Sequence, residues 1–182
     1  MAVVIRKWDD KELMYHIAKK DTHALRVLYE QTSSQVYGFA LAILHDHHLS
    51  EDVMQETYIK IFNNAENYND QGKLIYYILT IVRNLSYMKI RENKHYYNLS
   101  EELLNNIGNN HDEYLKTDNK ILLEECLNSL TSEERQIIIL FAITGLKHKE
   151  IAELINIPLS TVLSKYSRAL KKLQKKYGGV NS

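Results

Sequence analysis

Residues Leu146–Tyr177 read LKHKEIAELINIPLSTVLSKYSRALKKLQKKY, and this stretch predicts two helices separated by a tight turn. In the first helix, Ile151, Leu154 and Ile155 recur at helical spacing, so they bury one apolar stripe. Proline disfavours a helical residue before it but suits the first position of a helix. Pro158 is therefore expected to end the first helix and to open the second.

The second helix of this pair combines an apolar stripe with a strongly basic surface. From Lys165 to Lys176 it carries six basic residues and no acidic one, although the whole chain has 23 of each sign. Such a one-signed stripe is the usual electrostatic footprint of phosphate binding. The pattern predicts a helix-turn-helix whose second helix enters the DNA major groove. The other interpretation is an ordinary helical hairpin with solvated lysines. The apolar stripe consists of Val162, Tyr166, Ala169, Leu173 and Tyr177.

The composition favours an all-α protein. The 182 residues include one proline and six glycines, too few turn signals for an all-β chain, and 45% are hydrophobic, which is enough to bury a core. The single Cys126 excludes an intramolecular disulfide. No stretch approaches the ~20 apolar residues of a membrane span, and no leader is evident. We therefore expect a cytoplasmic protein without membrane insertion.

The charges divide the chain into three segments. Residues 1–97 carry 12 basic and 12 acidic side chains, residues 98–130 carry 2 and 7, and residues 131–182 carry 9 and 4. The basic charge is therefore concentrated in the last segment, where the helix-turn-helix lies.

An Asn-rich, acidic run from Asn98 to Thr117 predicts a linker, although a short helix from Ser100 to Ile107 is an alternative there. We expect two small helical domains, residues 1–97 and 120–182, joined by a flexible linker at 98–119.

Acidic residues mark the starts of the first two helices. Asp9 with Asp10 can cap a helix through Leu13 and Ile17, and Asp21 can cap a longer core helix. The predicted apolar face of the longer helix consists of Leu25, Leu28, Tyr29, Val36, Phe39, Ala40, Ile43 and Leu44.

Residues typical of a metal or catalytic site are not arranged as one. His45, His47 and His48 lie close in sequence, but no cysteine or carboxylate stands at a convincing ligand spacing, so we interpret them as a solvated helix end. The chain also lacks a glycine-rich phosphate loop and an evident nucleophile with its base. We expect no metal, no cofactor and no enzymatic activity.

The stretch Ser50–Phe62, SEDVMQETYIKIF, predicts an amphipathic helix with an acidic beginning. Ser50 can cap it, and Glu51 and Asp52 lie favourably at the positive end of the helix dipole. Its apolar line consists of Val53, Thr57 and Ile61.

After a polar loop at Asn63–Lys73, the stretch from Lys73 to His95 is basic and aromatic. It has five Lys or Arg and one acid, Glu92, among several tyrosines. Cations that follow a backbone and aromatic faces that receive unstacked bases suit single-stranded DNA. Equally, Tyr76, Tyr77 and Tyr87 could belong to the core, since aromatic residues at helical spacing usually do.

Thr131 with Glu134 three residues later forms a capping-box signature. It predicts a helix that ends near Gly145. The apolar residues of that helix are Ile137, Ile138, Leu140 and Phe141.

Taken in order, these stretches resemble the extracytoplasmic-function group of the sigma-70 family of RNA polymerase sigma factors. Ser50–Tyr58 is similar to the group's A-E-D-x-x-Q-E-x-F helix, and the segment from Ile75 is similar to W-L-x-x-I-A-R-N-x-x-x-D-x-x-R. Tyr77 stands in place of the usual Trp, and Met88 in place of the usual Asp. Further on, Glu150-Ile151-Ala152 and Thr161–Lys165 match elements of the group's helix-turn-helix, in which Leu163 replaces a frequent basic residue.

The resemblance implies a sigma factor without catalysis of its own, whose partners are core RNA polymerase and promoter DNA. It leaves open whether an anti-sigma factor also binds. The alternative is a helix-turn-helix regulator that binds DNA without joining the polymerase, which would not need Ser50–Phe62 or Lys73–Lys94.

The resemblance also implies three sets of contacts. Residues expected at the minus-35 element are Ser160, Thr161, Leu163, Ser164, Lys165, Ser167, Arg168, Lys171 and Lys172. Residues expected at the minus-10 element are Asn63, Asn64, Lys73, Tyr77, Arg83, Asn84 and Arg91. Residues expected at the polymerase are Glu51, Asp52, Gln55, Glu56 and Tyr58.

Within the second helix, we expect Ser164, Ser167 and Arg168 at base edges and the lysines at phosphates. We expect Leu170 in the core, whereas Leu163 suits either the core or a thymine methyl.

Overall fold

The computed structural model describes residues 8–69, 72–100 and 128–177, which contain seven α-helices, one 3-10 helix and no strand. They group into two compact units, one ending at Ser86 and one beginning at Tyr87. The predicted all-α class is confirmed. In chain order the helices are α1 Asp10–Ala18, α2 Thr22–Leu44, α3 His47–Asn64, the 3-10 helix Ala65–Asn67, α4 Leu74–Ser100, α5 Ser132–Thr144, α6 His148–Ile155 and α7 Leu159–Tyr177.

Aspartates cap the first two helices, as the sequence predicts. Asp9 Oδ1 accepts a hydrogen bond from the Glu12 amide at 2.8 Å. Asp21 Oδ1 accepts from the His23 amide at 2.9 Å and from the Ala24 amide at 3.3 Å. These bonds satisfy amides that a helix start leaves without an intrahelical partner.

The core of the first unit draws on all four of its helices. Leu13 of α1, Phe39 of α2, Ile61 of α3 and Ile78 of α4 are among its largest fully buried side chains. The predicted apolar face of α2 is buried over most of its length. Tyr29 is the departure, because it is 42% exposed and one side of its ring packs on Tyr58.

The helix α3 begins earlier than the sequence pattern predicts. Asp46 Oδ1 accepts from the Leu49 amide at 2.8 Å, so Asp46 is the cap. Ser50 lies one turn further on, is fully buried and donates its hydroxyl to the Asp46 carbonyl. The predicted cap at Ser50 is therefore wrong, because Asp46 satisfies the same capping rule one turn before it. His45, with φ +59, ends α2, whereas His47 and His48 are the first two residues of α3.

The end of α3 also differs from the prediction. Asn63 and Asn64 are helical, and the 3-10 helix Ala65–Asn67 follows directly. A polar loop was expected from Asn63, but the apolar Ala65 is buried and the 3-10 helix packs beside α1, which holds this segment in helical turns.

The start of α4 is tied to the start of α1. Asp10 Oδ2 accepts a hydrogen bond from the Leu74 amide at 3.2 Å, across 64 residues of sequence. Asp10 thus caps a distant helix while lying in the first turn of its own. The helix then continues to Ser100, three residues into the predicted linker, and residues 101–119 of that linker lie outside the described residues.

The capping box that opens α5 is confirmed. The Thr131 amide donates to Glu134 Oε2 at 3.0 Å, and Thr131 Oγ1 accepts from the Glu134 amide at 3.4 Å. The helix ends at Gly145, whose φ of +66 a glycine adopts without a steric penalty. Arg135 is buried and donates Nη2 to the Leu130 carbonyl at 3.2 Å, which braces the turn before the helix.

The turn between α6 and α7 is built on Asn156 and Pro158. Asn156 ends α6 with φ +58, a conformation that asparagine tolerates better than most residues. The Pro158 carbonyl accepts from the Val162 amide at 3.1 Å, so Pro158 immediately precedes the first helical residue of α7 instead of occupying that position. The predicted core residues Ile151, Leu154 and Ile155 are buried.

Candidate nucleic-acid and polymerase interfaces

The helix α7 turns its polar side outward. Val162 and Ala169 are fully buried, so they fix which side of the helix packs on the domain. Arg168 Nε donates to the Ser164 carbonyl at 3.3 Å, so this part of the guanidinium lies along the helix. The exposed members of the predicted minus-35 set are Ser160, Leu163, Ser164, Ser167, Arg168, Lys171 and Lys172, whereas Thr161 and Lys165 are half-buried.

Two of the predicted phosphate contacts have acidic partners inside the domain. Lys165 Nζ lies 2.7 Å from Glu133 Oε2, and Lys172 Nζ lies 2.6 Å from Glu134 Oε2. Burial by itself would raise the pKa of Glu134, but the hydrogen bonds from Lys172 and Thr131 outweigh it and hold the pKa below its ordinary value. The Glu134 carboxylate is therefore held in its charged form between two donors.

Leu163 and Leu170 of α7 are both at the surface. Leu163 is 47% exposed and Leu170 is 36% exposed. The expectation that Leu170 belongs to the core is wrong, because the stripe defined by Val162 and Ala169 faces another direction. Leu163 lies in the first turns of α7, where helix-turn-helix proteins reach base edges.

The predicted polymerase face of α3 separates into exposed and buried residues. Glu51, Asp52 and Gln55 are exposed, and Glu56 is half-buried, 3.8 Å from Lys60 Nζ. The buried line of Val53, Thr57 and Ile61 is confirmed. The acidic second turn of α3 is therefore available to a partner, while the opposite side of the helix completes the core.

Tyr58, predicted to contact polymerase, is instead a core residue and is 5% exposed. Its hydroxyl lies 2.8 Å from Thr32 Oγ1, and its ring centroid lies 5.0 Å from that of Tyr29. Since the Thr32 hydroxyl donates to the Leu28 carbonyl, the Tyr58 hydroxyl is the donor of the pair. Burial raises the pKa of Tyr58 to about 12. The closeness of Tyr58 to the acidic turn of α3 therefore does not make it part of the polymerase-binding face.

The predicted minus-10 residues lie at the end of α3 and along α4. Asn63, Asn64 and Lys73 are exposed, and Asn64 donates Nδ2 to the Lys60 carbonyl at 2.9 Å, which leaves its amide oxygen for another partner. On α4, Asn84 and Arg91 are exposed while Arg83 is half-buried.

Tyr77 connects α4 to the segment before it. It is half-buried, its ring centroid lies 5.1 Å from that of Tyr68, and burial raises its pKa. Tyr68 is absent from the predicted site, because the sequence gives no indication that it meets Tyr77. Since Tyr77 and Asn84 are seven residues apart on one helix, they lie on the same side of α4.

The described residues include no helix long and apolar enough to cross a membrane. They also contain no group of three or more His, Cys, Asp or Glu that could hold a metal ion.

Comparison with known proteins identifies relatives of both units. The family model described as Sigma-70 region 2 matches residues 28–96, and the one described as Sigma-70, region 4 matches residues 120–173. The chain is 27% identical over 175 residues to the ECF RNA polymerase sigma factor SigK of Mycolicibacterium vanbaalenii, with 91% of this chain and 88% of the relative covered. It is also 27% identical over 177 residues to SigK of Mycobacterium ulcerans, with 93% and 94% covered.

Two solved structures share the fold. The sigma factor RpoE from Bartonella quintana, in complex with the anti-sigma factor NepR, matches with a TM-score of 0.68 and 22% identity, covering 86% of this chain and 98% of that one. CnrH in complex with the cytosolic domain of CnrY matches with a TM-score of 0.64 and 17% identity, covering 94% and 99%.

Proposed function

Because this chain belongs to the extracytoplasmic-function subfamily of the sigma-70 family of RNA polymerase sigma factors, we propose how its helices divide the binding of polymerase and promoter between them. A sigma factor directs RNA polymerase to specific promoters, and it does so by binding both the core polymerase and promoter DNA. The alternative of a regulator that acts without the polymerase is not favoured, since a match to region 2 accompanies the match to region 4.

The single observation that carries the proposal for promoter reading is the outward polar face of α7. Ser164, Ser167 and Arg168 are exposed on the side opposite the buried Val162 and Ala169. We assign these three residues to base edges of the minus-35 duplex, with Ser160, Thr161 and Leu163 at the groove entrance and Lys171 at a phosphate.

For polymerase binding we assign the exposed acidic face that begins in the second turn of α3. Glu51, Asp52 and Gln55 are exposed within one and a half turns and suit a polar or basic partner surface. Glu56 contributes from the edge of this face. Tyr58 is left out of the assignment, because its burial supports the fold of the unit.

For the minus-10 element we assign the end of α3 and the exposed side of α4. Asn63 and Asn64 offer amide groups that can pair with base edges, and Lys73 offers a cation for the backbone. Tyr77 is a platform for stacking. Asn84, Arg83 and Arg91 complete the basic surface along the helix.

The division of labour follows the proposed domains, residues 1–97 and residues 120–182, with the proposed linker at 98–119 between them. Limited proteolysis that cuts first within the linker supports this division, and early cuts inside both flanking blocks contradict it.

We propose that the protein acts in the cytoplasm, where the polymerase is, and that the chemistry of transcription belongs to the polymerase alone. An anti-sigma partner is a further proposal. Of the two solved structures, RpoE is in complex with the anti-sigma factor NepR, and CnrH is in complex with the cytosolic domain of CnrY.

Reconstitution tests the proposal. The purified chain is mixed with core RNA polymerase, and co-purification and transcription from genomic fragments are measured. Association followed by initiation at a defined set of promoters is the expected result. DNA binding without polymerase association identifies the helix-turn-helix regulator instead.

A further inference from the structure

Two ion pairs join α7 to the first turn of α5. Glu133 and Glu134 are neighbours in that turn, and their partners Lys165 and Lys172 are seven residues apart on α7. Because seven residues correspond to two helical turns, the two lysines lie on one side of α7. The helix is therefore held to α5 at two points along its length.

The two pairs differ in burial. The Glu134 side chain is 4% exposed, whereas the Glu133 side chain is 51% exposed. Lys172 is 43% exposed and Lys165 is 23% exposed, so the difference lies in the carboxylates. An exposed carboxylate contributes little because solvent screens it, but removing the cation from a nearly buried one leaves a charge with less compensation. The pair of Glu134 and Lys172 is therefore the stronger constraint on α7.

Glu134 Oε2 also belongs to the capping box. It accepts from the Thr131 amide at 3.0 Å and from Lys172 Nζ at 2.6 Å. The position of Lys172 is thus linked through one oxygen atom to the start of α5. If Lys172 moved to a DNA phosphate, the buried carboxylate would lose its cation, and this cost opposes the exchange.

We propose that Glu134 and Lys172 are positioning residues that fix the angle of the recognition helix, and that Lys172 does not neutralise a DNA phosphate. The proposal rests on the assignment of α7 as the recognition helix. Glu133 and Lys165 form a second, more exposed attachment of the same kind. The phosphate contacts of α7 then come from other cations, of which Lys171 is the neighbour of Lys172 and is exposed.

Salt dependence separates positioning from phosphate contact. Each cation that neutralises a phosphate contributes about 0.9 to the slope of log affinity against log salt concentration. The full-length chain, assembled with core polymerase, is titrated onto a promoter fragment and onto the same fragment with a scrambled minus-35 element.

Lys171→Met is the matched control, because it removes a cation from the adjacent position of the same helix. It should reduce the slope by about 0.9 on both fragments. Lys172→Met should leave the slope unchanged but lower the preference for the intact minus-35 element by about tenfold, the size of one base contact. A slope that falls by about 0.9 in Lys172→Met overturns the proposal.

Glu134→Gln provides a second route to the same result. Glutamine can still accept from the Thr131 amide, but it removes the negative charge. The proposal expects this variant to lose the same minus-35 preference as Lys172→Met, the double variant to lose no more than either, and Lys172→Arg to keep the preference. Additive losses in the double variant overturn the proposal. Thermal unfolding of each full-length variant shows that it is folded before DNA binding is compared.

Failure of the underlying assignment has a different signature. If α7 were not the recognition helix, the wild-type chain would show no preference for the intact minus-35 element, and Lys171→Met would leave the slope unchanged. Both proposals then fail together. Failure of the positioning role alone appears only in the variants of Glu134 and Lys172.

Discussion

The helices α3 and α7 each bury one stripe and carry charge on the other side, but they treat that charge differently. On α3, Glu51 and Asp52 are exposed in the second helical turn. On α7, Lys165 and Lys172 form ion pairs with acidic residues of α5. The contrast shows that a count of charges on a helix overstates the number available to a partner when a neighbouring helix supplies counter-charges.

The largest expected effect tests the buried attachment of α7. Glu134→Ala should lower the free energy of unfolding by about 2–3 kcal/mol, because it removes a helix cap and the nearly buried partner of Lys172. The loss is no larger because Lys172 is partly exposed to solvent. Urea unfolding of the full-length chain measures the change. Glu133→Ala is the matched control and should cost less than about 1 kcal/mol, since its pair is exposed. Equal losses in the two variants would remove the distinction between the pairs.

The next effect concerns the exposed charge of α3. Replacing Asp52 and Gln55 together by alanine should weaken binding to core polymerase by about 2 kcal/mol, roughly thirtyfold, without changing stability. Equilibrium titration against labelled polymerase measures it. Glu30→Ala, at an exposed position of α2, is the control and should leave the affinity unchanged. Unaltered binding by the double variant would mean that this face is only a solvated surface.

A smaller effect separates Tyr58 from the face beside it. Tyr58→Phe should lower the free energy of unfolding by about 1 kcal/mol, because it removes the hydroxyl that bonds to Thr32. It should leave the affinity for polymerase unchanged. Chemical denaturation and polymerase titration are performed on the same preparation. Tyr15→Phe, at a position 61% exposed, serves as the comparison with no expected change. A loss of polymerase affinity without a loss of stability would return Tyr58 to the interface.

The smallest effect is a dependence on pH. The pKa of Glu134 is lower in the folded protein than its ordinary value of 4.5, so its contribution to stability is complete above that value and is lost as pH falls through the folded pKa. The melting temperature of the wild-type protein should therefore exceed that of Glu134→Gln at neutral pH, and the difference should narrow in acid. A difference that is constant down to pH about 3 would show that the charge of Glu134 does not stabilise the fold.

Local features of the fold are predictable from sequence because their partners lie within a few residues. The capping box of Thr131 with Glu134 and the helix end at Gly145 depend on spacings of one helical turn. The all-α class and the helix-turn-helix follow from the same short-range rules. Where two residues satisfy one rule, as Asp46 and Ser50 do, the sequence pattern does not choose between them.

The site is less predictable because its contacts join distant parts of the chain. Lys172 meets Glu134 across 38 residues, and Tyr58 meets Thr32 across 26. The spacing of residues within one helix cannot predict these contacts, because each contact joins two different helices. For Leu170 the sequence pattern predicts too large a core. Leu170 is apolar and follows the buried Ala169 in sequence, but the core does not extend to it.

The hydrogen bond between Asp10 and Leu74 has a consequence for folding during synthesis. Asp10 leaves the ribosome before its partner amide, which is made 64 residues later. Until that amide emerges, the helix start that Asp10 caps does not exist. Because closing a loop of this length costs chain entropy before any contact forms, this closure is expected among the later events in folding of the first unit. The helix α1 would thus wait for the start of α4 before one of its contacts within the first unit is complete.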